Sequence, residues 1–163
     1  MKIRFFGDVA FNRPYYETAV HLEDRDIEID LNLDDVLGEK NWVFLYDEYI
    51  SKVQLLRKDI EELIRKNFKG HGIVEEWLDY HIEELEISDE KVDGLLSEKN
   101  MKLPLKNKLF SLLNLRRIGL YPGNFDYAVW DFMLDGDLSD DILVVITDIE
   151  GNVKEITWES EGE

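Results

Sequence analysis

Short apolar runs follow one another along the last third of the chain, from residue 115 to residue 160. Turn-forming residues separate these runs at Pro122-Gly123-Asn124, at Asp135-Gly136-Asp137 and at Glu150-Gly151-Asn152. Runs of β-branched and aromatic residues divided by glycine, proline, asparagine and aspartate are typical of strands joined by tight turns. We therefore expect this segment to form much of an antiparallel sheet.

A second strand pattern lies at the start of the chain. The run from Ile27 to Leu33 alternates apolar and polar positions without a break, which predicts a half-buried strand. Its polar positions Glu28, Asp30 and Asn32 share one face, because side chains alternate along a strand. Carboxylates at this spacing could form a catalytic or metal-binding pair, but a charged outer face that keeps the sheet soluble is the interpretation we prefer.

A helical period follows these strands and predicts one long helix over residues 41–67. The apolar positions of its stripe are Trp42, Tyr46, Tyr49, Val53, Leu56, Ile60 and Leu63. They recur every three or four residues, so one face of the helix is apolar. At about 1.5 Å per residue the helix would be about 40 Å long, and we expect it to lie across a sheet face. A dimer seam along the same stripe is the alternative.

A second helix is predicted over residues 74–86, with an acidic outer face. The inward positions include Val74, Trp77, Leu78, His81, Ile82 and Leu85. The outward positions are Glu75, Glu76, Asp79, Glu83 and Glu84. Like charges four residues apart destabilise a helix by a few tenths of a kcal/mol, so this face is a candidate partner-binding surface. Two short helices should follow, one capped by Ser88 and one that begins near Pro104.

Length and composition indicate one folded domain over residues 1–163. Hydrophobic residues are 44% of the chain and aromatic residues 12%, which is typical of globular rather than disordered proteins. No apolar run approaches the roughly 20 residues that span a bilayer, and the first residues lack the apolar core of a signal peptide. We therefore expect a cytoplasmic protein that does not interact with membranes.

The net charge of −18 is distributed in blocks. Residues 71–98 contain ten acidic residues and one lysine, and residues 126–163 contain twelve acidic residues and one lysine. Residues 99–125 contain six basic residues and no acidic one. Acidic surfaces repel nucleic-acid phosphates and anionic lipid, which argues against a nucleic-acid partner and favours a basic protein partner. The alternative is that the excess carboxylates only maintain solubility.

The sequence contains no motif for catalysis, a cofactor or a metal. The chain has no cysteine, which excludes disulfides and thiolate zinc sites. His21, His71 and His81 lack a metal-ligand spacing, and we expect His81 to pack in the core or to contact a partner. The acidic segment 135–141 fails the calcium-loop pattern, because Asp140 stands where glycine is required. We therefore predict neither enzymatic activity nor a bound cofactor.

The acidic segment between two C-terminal strands is a second candidate partner-binding surface. Its carboxylates are Asp135, Asp137, Asp140 and Asp141. The competing hypothesis is a hydrolase or small-ligand-binding protein that uses these carboxylates and nearby aromatic residues. The aromatic residues in question are Tyr121, Phe125, Tyr127, Trp130, Phe132 and Trp158. On strands, however, most aromatic side chains are core residues or cross-strand pairs.

Several stretches of the chain resemble one bacterial family. They are L-R-R-I-G-L-Y-P at residues 115–122, Y-A-V-W-D-F at 127–132, S-D-D-I-L-V-V at 139–145, D-I-E-G-N at 148–152 and Y-H-I-E-E-L at 80–85. Together with Phe5-Phe6-Gly7, they are similar to the domain-of-unknown-function family numbered two thousand and four. The resemblance spans nearly the whole chain. It implies an interaction or immunity role beside bacterial toxin systems, without catalytic residues.

These patterns together predict an α+β domain. We expect a mostly antiparallel sheet built from N- and C-terminal strands, with one long helix and several shorter helices packed on one face. The expected function is non-enzymatic binding of a basic protein, such as the neutralisation of a toxin. The predicted binding residues are Glu75, Glu76, Asp79, Glu83, Glu84, Asp135, Asp137, Asp140 and Asp141.

Overall fold

The computed structural model describes residues 2–8, 10–23 and 25–159. Its strands are β1 (Lys2–Ile3), β2 (Gly7–Asp8), β3 (Tyr15–Leu22), β4 (Arg25–Asn32), β5 (Leu113–Leu120), β6 (Ala128–Leu134), β7 (Ile142–Thr147) and β8 (Val153–Glu159). Its helices are α1 (Trp42–Ser51), α2 (Val53–Lys69), α3 (Ile73–Glu83), α4 (Asp89–Val92) and α5 (Leu105–Ser111), with 3₁₀ turns at Asp93–Leu95 and Asn100–Lys102. The short helices α4 and α5 begin directly after Ser88 and Pro104, as predicted.

Six strands form one mixed sheet in the order β3-β4-β5-β6-β7-β8, and β1 and β2 form a separate two-stranded ribbon. Neighbours in the large sheet are antiparallel except β4 and β5, which run parallel. A parallel pair needs a crossover connection, and the described helices all lie in the connection between these two strands. The expectation of an α+β domain with a mostly antiparallel sheet is confirmed.

The core lies between the helices and one face of the sheet, where a buried hydrogen-bond chain joins the two layers. The Trp130 indole donates to the Tyr49 hydroxyl over 3.0 Å, and that hydroxyl lies 2.8 Å from Thr147 Oγ1. Because Thr147 donates its own proton to the Asp148 carbonyl at 3.0 Å, Tyr49 is the donor to Thr147. Burial of these polar groups is therefore compensated by hydrogen bonds.

The predicted long helix is two helices, α1 and α2, separated by Lys52. The backbone of Lys52 has φ −110° and ψ 17°, outside the helical region. Its N–H bonds to the Tyr49 carbonyl over 3.2 Å, while the Glu48 carbonyl accepts the Ser51 hydroxyl over 2.7 Å. A side-chain hydroxyl that occupies a helical carbonyl competes with the backbone donor. This competition accounts for the interruption that the apolar spacing did not reveal.

After this break, the buried positions of the helix differ from the predicted apolar stripe. Leu63 was expected to face the core but is 37% exposed, whereas its neighbour Ile64 is 2% exposed. The other members of the stripe are buried: Trp42, Tyr46, Tyr49, Val53, Leu56 and Ile60. In α3 the buried residues are Val74, Trp77, Leu78 and His81. The predicted orientation of α3 is therefore confirmed.

Candidate functional site

The predicted acidic face of α3 is partly neutralised by α5. Lys106 of α5 lies 2.8 Å from Asp79 and 3.7 Å from Glu75. The hydrogen bond to Asp79 raises the pKa of Lys106 and keeps it charged. The remaining predicted carboxylates of this face are exposed: Glu76, Glu83 and Glu84. Three of the five predicted residues on α3 therefore present their charge to solvent without this counter-ion.

Asp135, the first carboxylate of the predicted acidic segment, is surrounded by donors. Arg25 contacts its two oxygens at 3.0 and 3.2 Å, Asn114 donates at 2.7 Å and Arg116 donates at 3.1 Å. These contacts tie β4 and β5 to the end of β6. Asp137 and Asp140 are exposed, whereas Asp141 is buried. The segment therefore presents two of its four predicted carboxylates to solvent.

His81 connects α3 to the acidic segment. Its Nδ1 lies 2.8 Å from the Trp77 carbonyl, and its Nε2 lies 2.7 Å from Ser139 Oγ. Because a carbonyl only accepts, Nδ1 carries the proton and Nε2 accepts the Ser139 hydroxyl. Burial lowers the pKa of His81, against the opposing effects of the Trp77 carbonyl and of Asp141. Of the two expectations for His81, packing in the core is confirmed, and the buried side of α3 contacts segment 135–141 here.

A serine and a histidine in contact also occur in hydrolases, where the histidine activates the serine. Here the imidazole is 0% exposed, and its Nδ1 bonds to a backbone carbonyl rather than to an orienting carboxylate. The contact between His81 and Ser139 is therefore explained by its role in holding the β6–β7 connection against α3.

The aromatic residues of the C-terminal strands lie mainly in the core. Tyr127, Trp130 and Phe132 are buried, and Trp158 stacks with Tyr80 at a centroid distance of 6.3 Å. Phe125 differs, since it is 86% exposed. Of the aromatic residues in the competing hypothesis of a ligand site, the three buried ones therefore cannot stack on a ligand, whereas Phe125 is open to solvent.

A cavity between α2, α5 and β5 has a volume of about 220 Å³. It is lined by Glu61, Ile64, Arg65, Phe110, Ser111, Leu113, Asn114 and Phe132. Within the described residues, no group of three or more histidines or carboxylates is placed to hold a metal ion.

No helix among the described residues is both long and apolar enough to cross a membrane.

The face of the large sheet opposite the helices carries an apolar band. The band consists of Val129, Met133, Ile142, Val144 and Ile146. Val144, at its centre, is paired with Asp131 of β6 and Thr157 of β8, and it is 1% exposed. The other four are half-buried. We call this side of the sheet the open face, because the helices of the described chain pack against the other side.

Carboxylates flank the apolar band on both sides. Towards one edge of the sheet, the strand pairing places Glu17, Glu28 and Asp30 on the open face. Towards the other edge, Glu155 and Glu159 lie opposite Ile146 and Ile142, respectively. The open face therefore has an apolar centre and an acidic rim.

Arg117 is fixed between two carboxylates of the open face. It donates to Asp30 Oδ2 from Nη2 at 2.6 Å and from Nε at 3.2 Å, and to Asp131 Oδ2 from Nη1 at 2.9 Å. The side chains of Asp30 and Asp131 are only 4% and 13% exposed. Gly119 makes this arrangement possible, since a Cβ there would lie 2.4 Å from Arg117 Nη2. The Arg117 cluster, meaning these four residues, is thus a packed, preorganised group.

The electrostatics of the open face favour uptake of positive charge. Burial disfavours the charged form of Arg117, but its hydrogen bonds, led by that to Asp30, raise its pKa. Burial raises the pKa of Asp131 despite the opposing contact with Arg117. A hydrogen bond with Glu17, followed by burial, raises the pKa of Glu28. Asp30 Oδ1 is buried and has no hydrogen-bond partner in the described structure. The negative charge of this face that reaches solvent therefore lies on its rim, at Glu17, Glu28, Glu155 and Glu159.

The sequence indicated only part of this site. It placed Glu28, Asp30 and Asn32 on one strand face, but it did not connect them to Arg117, which lies 87 residues from Asp30. The pairing of β4 with β5 creates that contact, and parallel pairs across a long crossover have no local sequence signal. One hint was available: in the stretch from Arg117 to Gly119, a glycine stands two residues after an arginine on the same strand face.

Comparison of the chain with family models, curated proteins and solved structures gave no match. The resemblance to the bacterial family described above stays a prediction. The open face is therefore the basis for the function proposed below.

Proposed function

We propose that this chain is a non-enzymatic, cytoplasmic protein-binding module that docks a basic protein on the open face of its sheet. One observation carries the proposal: a sheet face free of helices presents an apolar band between two acidic rims. An apolar centre with a polar rim is the usual anatomy of a protein interface. Four of the five residues in the band are half-buried, so part of this apolar surface reaches solvent, and contiguous apolar surface of this kind often marks such a site.

The acidic rim defines the kind of partner. Association between a negative rim and a positive surface is steered over long distances, and wrong partners of like charge are repelled. The net charge of −18 acts in the same direction. The exposed carboxylates of α3 and of segment 135–141 would contribute to this steering rather than to the buried centre of the interface.

The Arg117 cluster supports the proposal by making the open face rigid. Its two carboxylates come from β4 and β6, so Arg117 bridges three adjacent strands. A surface that is ordered before binding loses less conformational entropy on association. Neutralisation of a basic toxin, as the family resemblance implies, is the specific role that we propose for such a module.

Substitutions on the open face test the proposal. The double variant Ile142→Lys with Ile146→Lys would place two lysines in the apolar band, where both native side chains are half-buried. The control is Leu55→Lys on α2, because Leu55 is 61% exposed and lies away from the sheet. Circular dichroism and urea unfolding should first establish that the variants are folded.

Affinity capture from the native host then compares these proteins with the wild type at low and moderate salt. We expect one basic protein to be retained by the wild type and by Leu55→Lys, and to be lost with the double variant or at higher salt. Toxicity of the captured protein, relieved by co-expression with the wild-type chain, would support the immunity role. Equal capture by the double variant would refute docking on the open face, and a strong thermal shift with a small metabolite but no captured protein would favour a ligand-binding function.

A further inference from the structure

Phe125 is an exposed aromatic residue at one end of the open face. It is 86% exposed and follows the turn after β5. A depression of about 390 Å³ on one side of it is lined by Tyr121, Asn124, Asp126 and Val129. Val129 belongs to the apolar band, so the depression continues the open face. Phe125 therefore stands at the rim of the proposed interface.

Lys154 shows what kind of group the Phe125 ring accommodates. Its ammonium lies 4.8 Å from the ring centroid and 2.5 Å from Asp126 Oδ1. An ammonium at this distance from an aromatic face is attracted by the ring quadrupole. The ring and the neighbouring carboxylate thus already hold a cation in the free chain.

A second depression, of about 370 Å³, lies on another side of Phe125. Its lining residues are Leu45, Gly123, Asn124, Phe125, Tyr127, Asp148, Ile149 and Glu150. Leu45 is 43% exposed, so the depression has an apolar wall that is open to solvent. The long aliphatic stem of an arginine or lysine covers apolar surface of this kind while the charged end stays near water.

The charged wall of this second depression is acidic. Partial burial opposes ionisation of Asp148, but hydrogen bonds from Asn152 and Glu150 hold its pKa below the usual value. Glu150 is exposed, and the nearby Lys52 contacts its backbone carbonyl at 3.3 Å rather than its carboxylate. A cation entering the depression would therefore meet two carboxylates beside an aromatic ring.

Phe44 provides an internal comparison, because it is also an exposed phenylalanine. It is 71% exposed and borders a depression of about 570 Å³ near β1. The charged residues in that lining are Lys2, Arg4, Lys40 and Asp47. The two phenylalanines thus have opposite electrostatic surroundings, and only the surroundings of Phe125 are complementary to a cation.

We propose that Phe125 and the adjoining depression lined by Leu45, Asp148 and Glu150 bind an arginine or lysine side chain of the basic partner. The aliphatic stem packs on Leu45, and the charged end lies between the Phe125 ring and the carboxylates of Asp148 and Glu150. The inference rests on the proposed function, since it names the group of the partner that this rim recognises. It also locates the recognition at the end of the sheet beside α1, where the open face adjoins the helix-covered side.

The experiment uses an acetylated and amidated hexa-arginine peptide as the probe, followed by backbone amide NMR on the full chain at low salt. A hexa-glutamate peptide is the negative control. We expect the arginine peptide to shift the amides of residues 123–125 and 148–150 more than those of α3, and Phe125→Ala to weaken binding by about twofold to fivefold. Phe44→Ala is the matched control and should leave the affinity unchanged. Because Phe125 is so exposed, its substitution should not unfold the chain.

Two further results decide between explanations. Phe125→Leu keeps an apolar side chain but removes the ring, so it should weaken peptide binding if the ring attracts the cation. Equal amide shifts over all acidic surfaces, or equal losses of peptide affinity in Phe44→Ala and Phe125→Ala, would overturn the inference.

The capture experiment separates this inference from the proposed function. Loss of the partner with the open-face double variant but normal retention by Phe125→Ala would refute the role of Phe125 and leave the proposed function intact.

Discussion

The two faces of the large sheet satisfy opposite physical demands. On the helix-covered face, buried polar groups are linked in a chain, from the Trp130 indole through the Tyr49 hydroxyl to Thr147. On the open face, the Arg117 cluster leaves Asp30 Oδ1 without a partner. The Trp130–Tyr49–Thr147 chain is satisfied, although the Trp77 indole and the Tyr127 hydroxyl of the core are also buried without a partner in the described structure. The difference between the faces is therefore one of charge, since the open face contains the largely buried ion pairs of the Arg117 cluster.

Strand β6 shows how closely these demands are interleaved. Its residues alternate between the core and the open face, so the core residue Trp130 is flanked by Val129 and Asp131 of the proposed interface. Successive side chains of a strand point to opposite sides. Stability and recognition are therefore separable here by substitution of adjacent residues.

The largest difference between the faces should appear when Trp130 and Val129 are each replaced by alanine. Trp130 is fully buried and donates to Tyr49, so Trp130→Ala should lower the free energy of unfolding by about 3–5 kcal/mol. Val129 is half-buried on the open face, and Val129→Ala should cost about 1 kcal/mol or less. Urea unfolding of both variants measures the difference. Similar losses would mean that the open face is part of the stabilising core.

The Arg117 cluster should give the next largest effect. Arg117→Met removes the cation between two largely buried carboxylates, and breaking such a pair on one side costs about 3–5 kcal/mol. Because the Arg117 side chain is 26% exposed, we expect the free energy of unfolding to fall by about 3 kcal/mol, the lower end of that range. The triple variant with Asp30→Asn and Asp131→Asn should recover much of it in urea unfolding. A loss below about 0.5 kcal/mol, typical of surface changes, would show that the cluster is only loosely coupled.

The sequence predicted which segments are buried, but it did not predict where the long helix breaks. The strands around Ile27 to Leu33 and the buried side of α3 were predicted because apolar periodicity reports local burial. The break at Lys52 was not, because it depends on one hydroxyl, that of Ser51, and not on the apolar pattern. Periodicity records which side chains are buried, but it does not record local competition for a carbonyl.

Partners distant in sequence neutralise part of the predicted binding surface, and the charge pattern did not reveal them. Asp135 was expected to face a partner, but the fold brings Arg25, 110 residues away, to within 3.0 Å of its carboxylate. In the same way, Lys106 reaches Asp79 from another helix. A count of charges along the chain cannot show which of them are paired across strands or helices. The residues of the open face were therefore found only once the strand order was known.

The smallest predicted difference between the two faces lies in how the free energy of unfolding depends on pH. The contributions of the two faces have opposite signs. The lowered pKa of His81 means that the unfolded chain binds this proton more readily than the folded protein. Below the unfolded value of 6.5, acidification should therefore lower the free energy of unfolding, by at most about 1.4 kcal/mol per pH unit. The raised pKa of Asp131 has the opposite sign, because the folded protein binds that proton more readily. Its contribution to stability is greatest at low pH and declines as the pH rises above 3.8 and through the folded pKa.

Variants at these two residues should shift the pH profile in opposite directions. Urea unfolding at about pH 7.5 and about pH 5.5 gives the change in stability for the wild type and His81→Gln, and unfolding at about pH 5.5 and about pH 4 gives it for the wild type and Asp131→Asn. His81→Gln removes the titrating imidazole, so the loss of stability on acidification should be smaller than in the wild type. Asp131→Asn removes the carboxyl that favours the folded state at low pH, so the loss should be larger. If both variants shifted the profile in the same direction, the helix-covered and open faces would not differ electrostatically in the way that their burial and hydrogen bonds indicate.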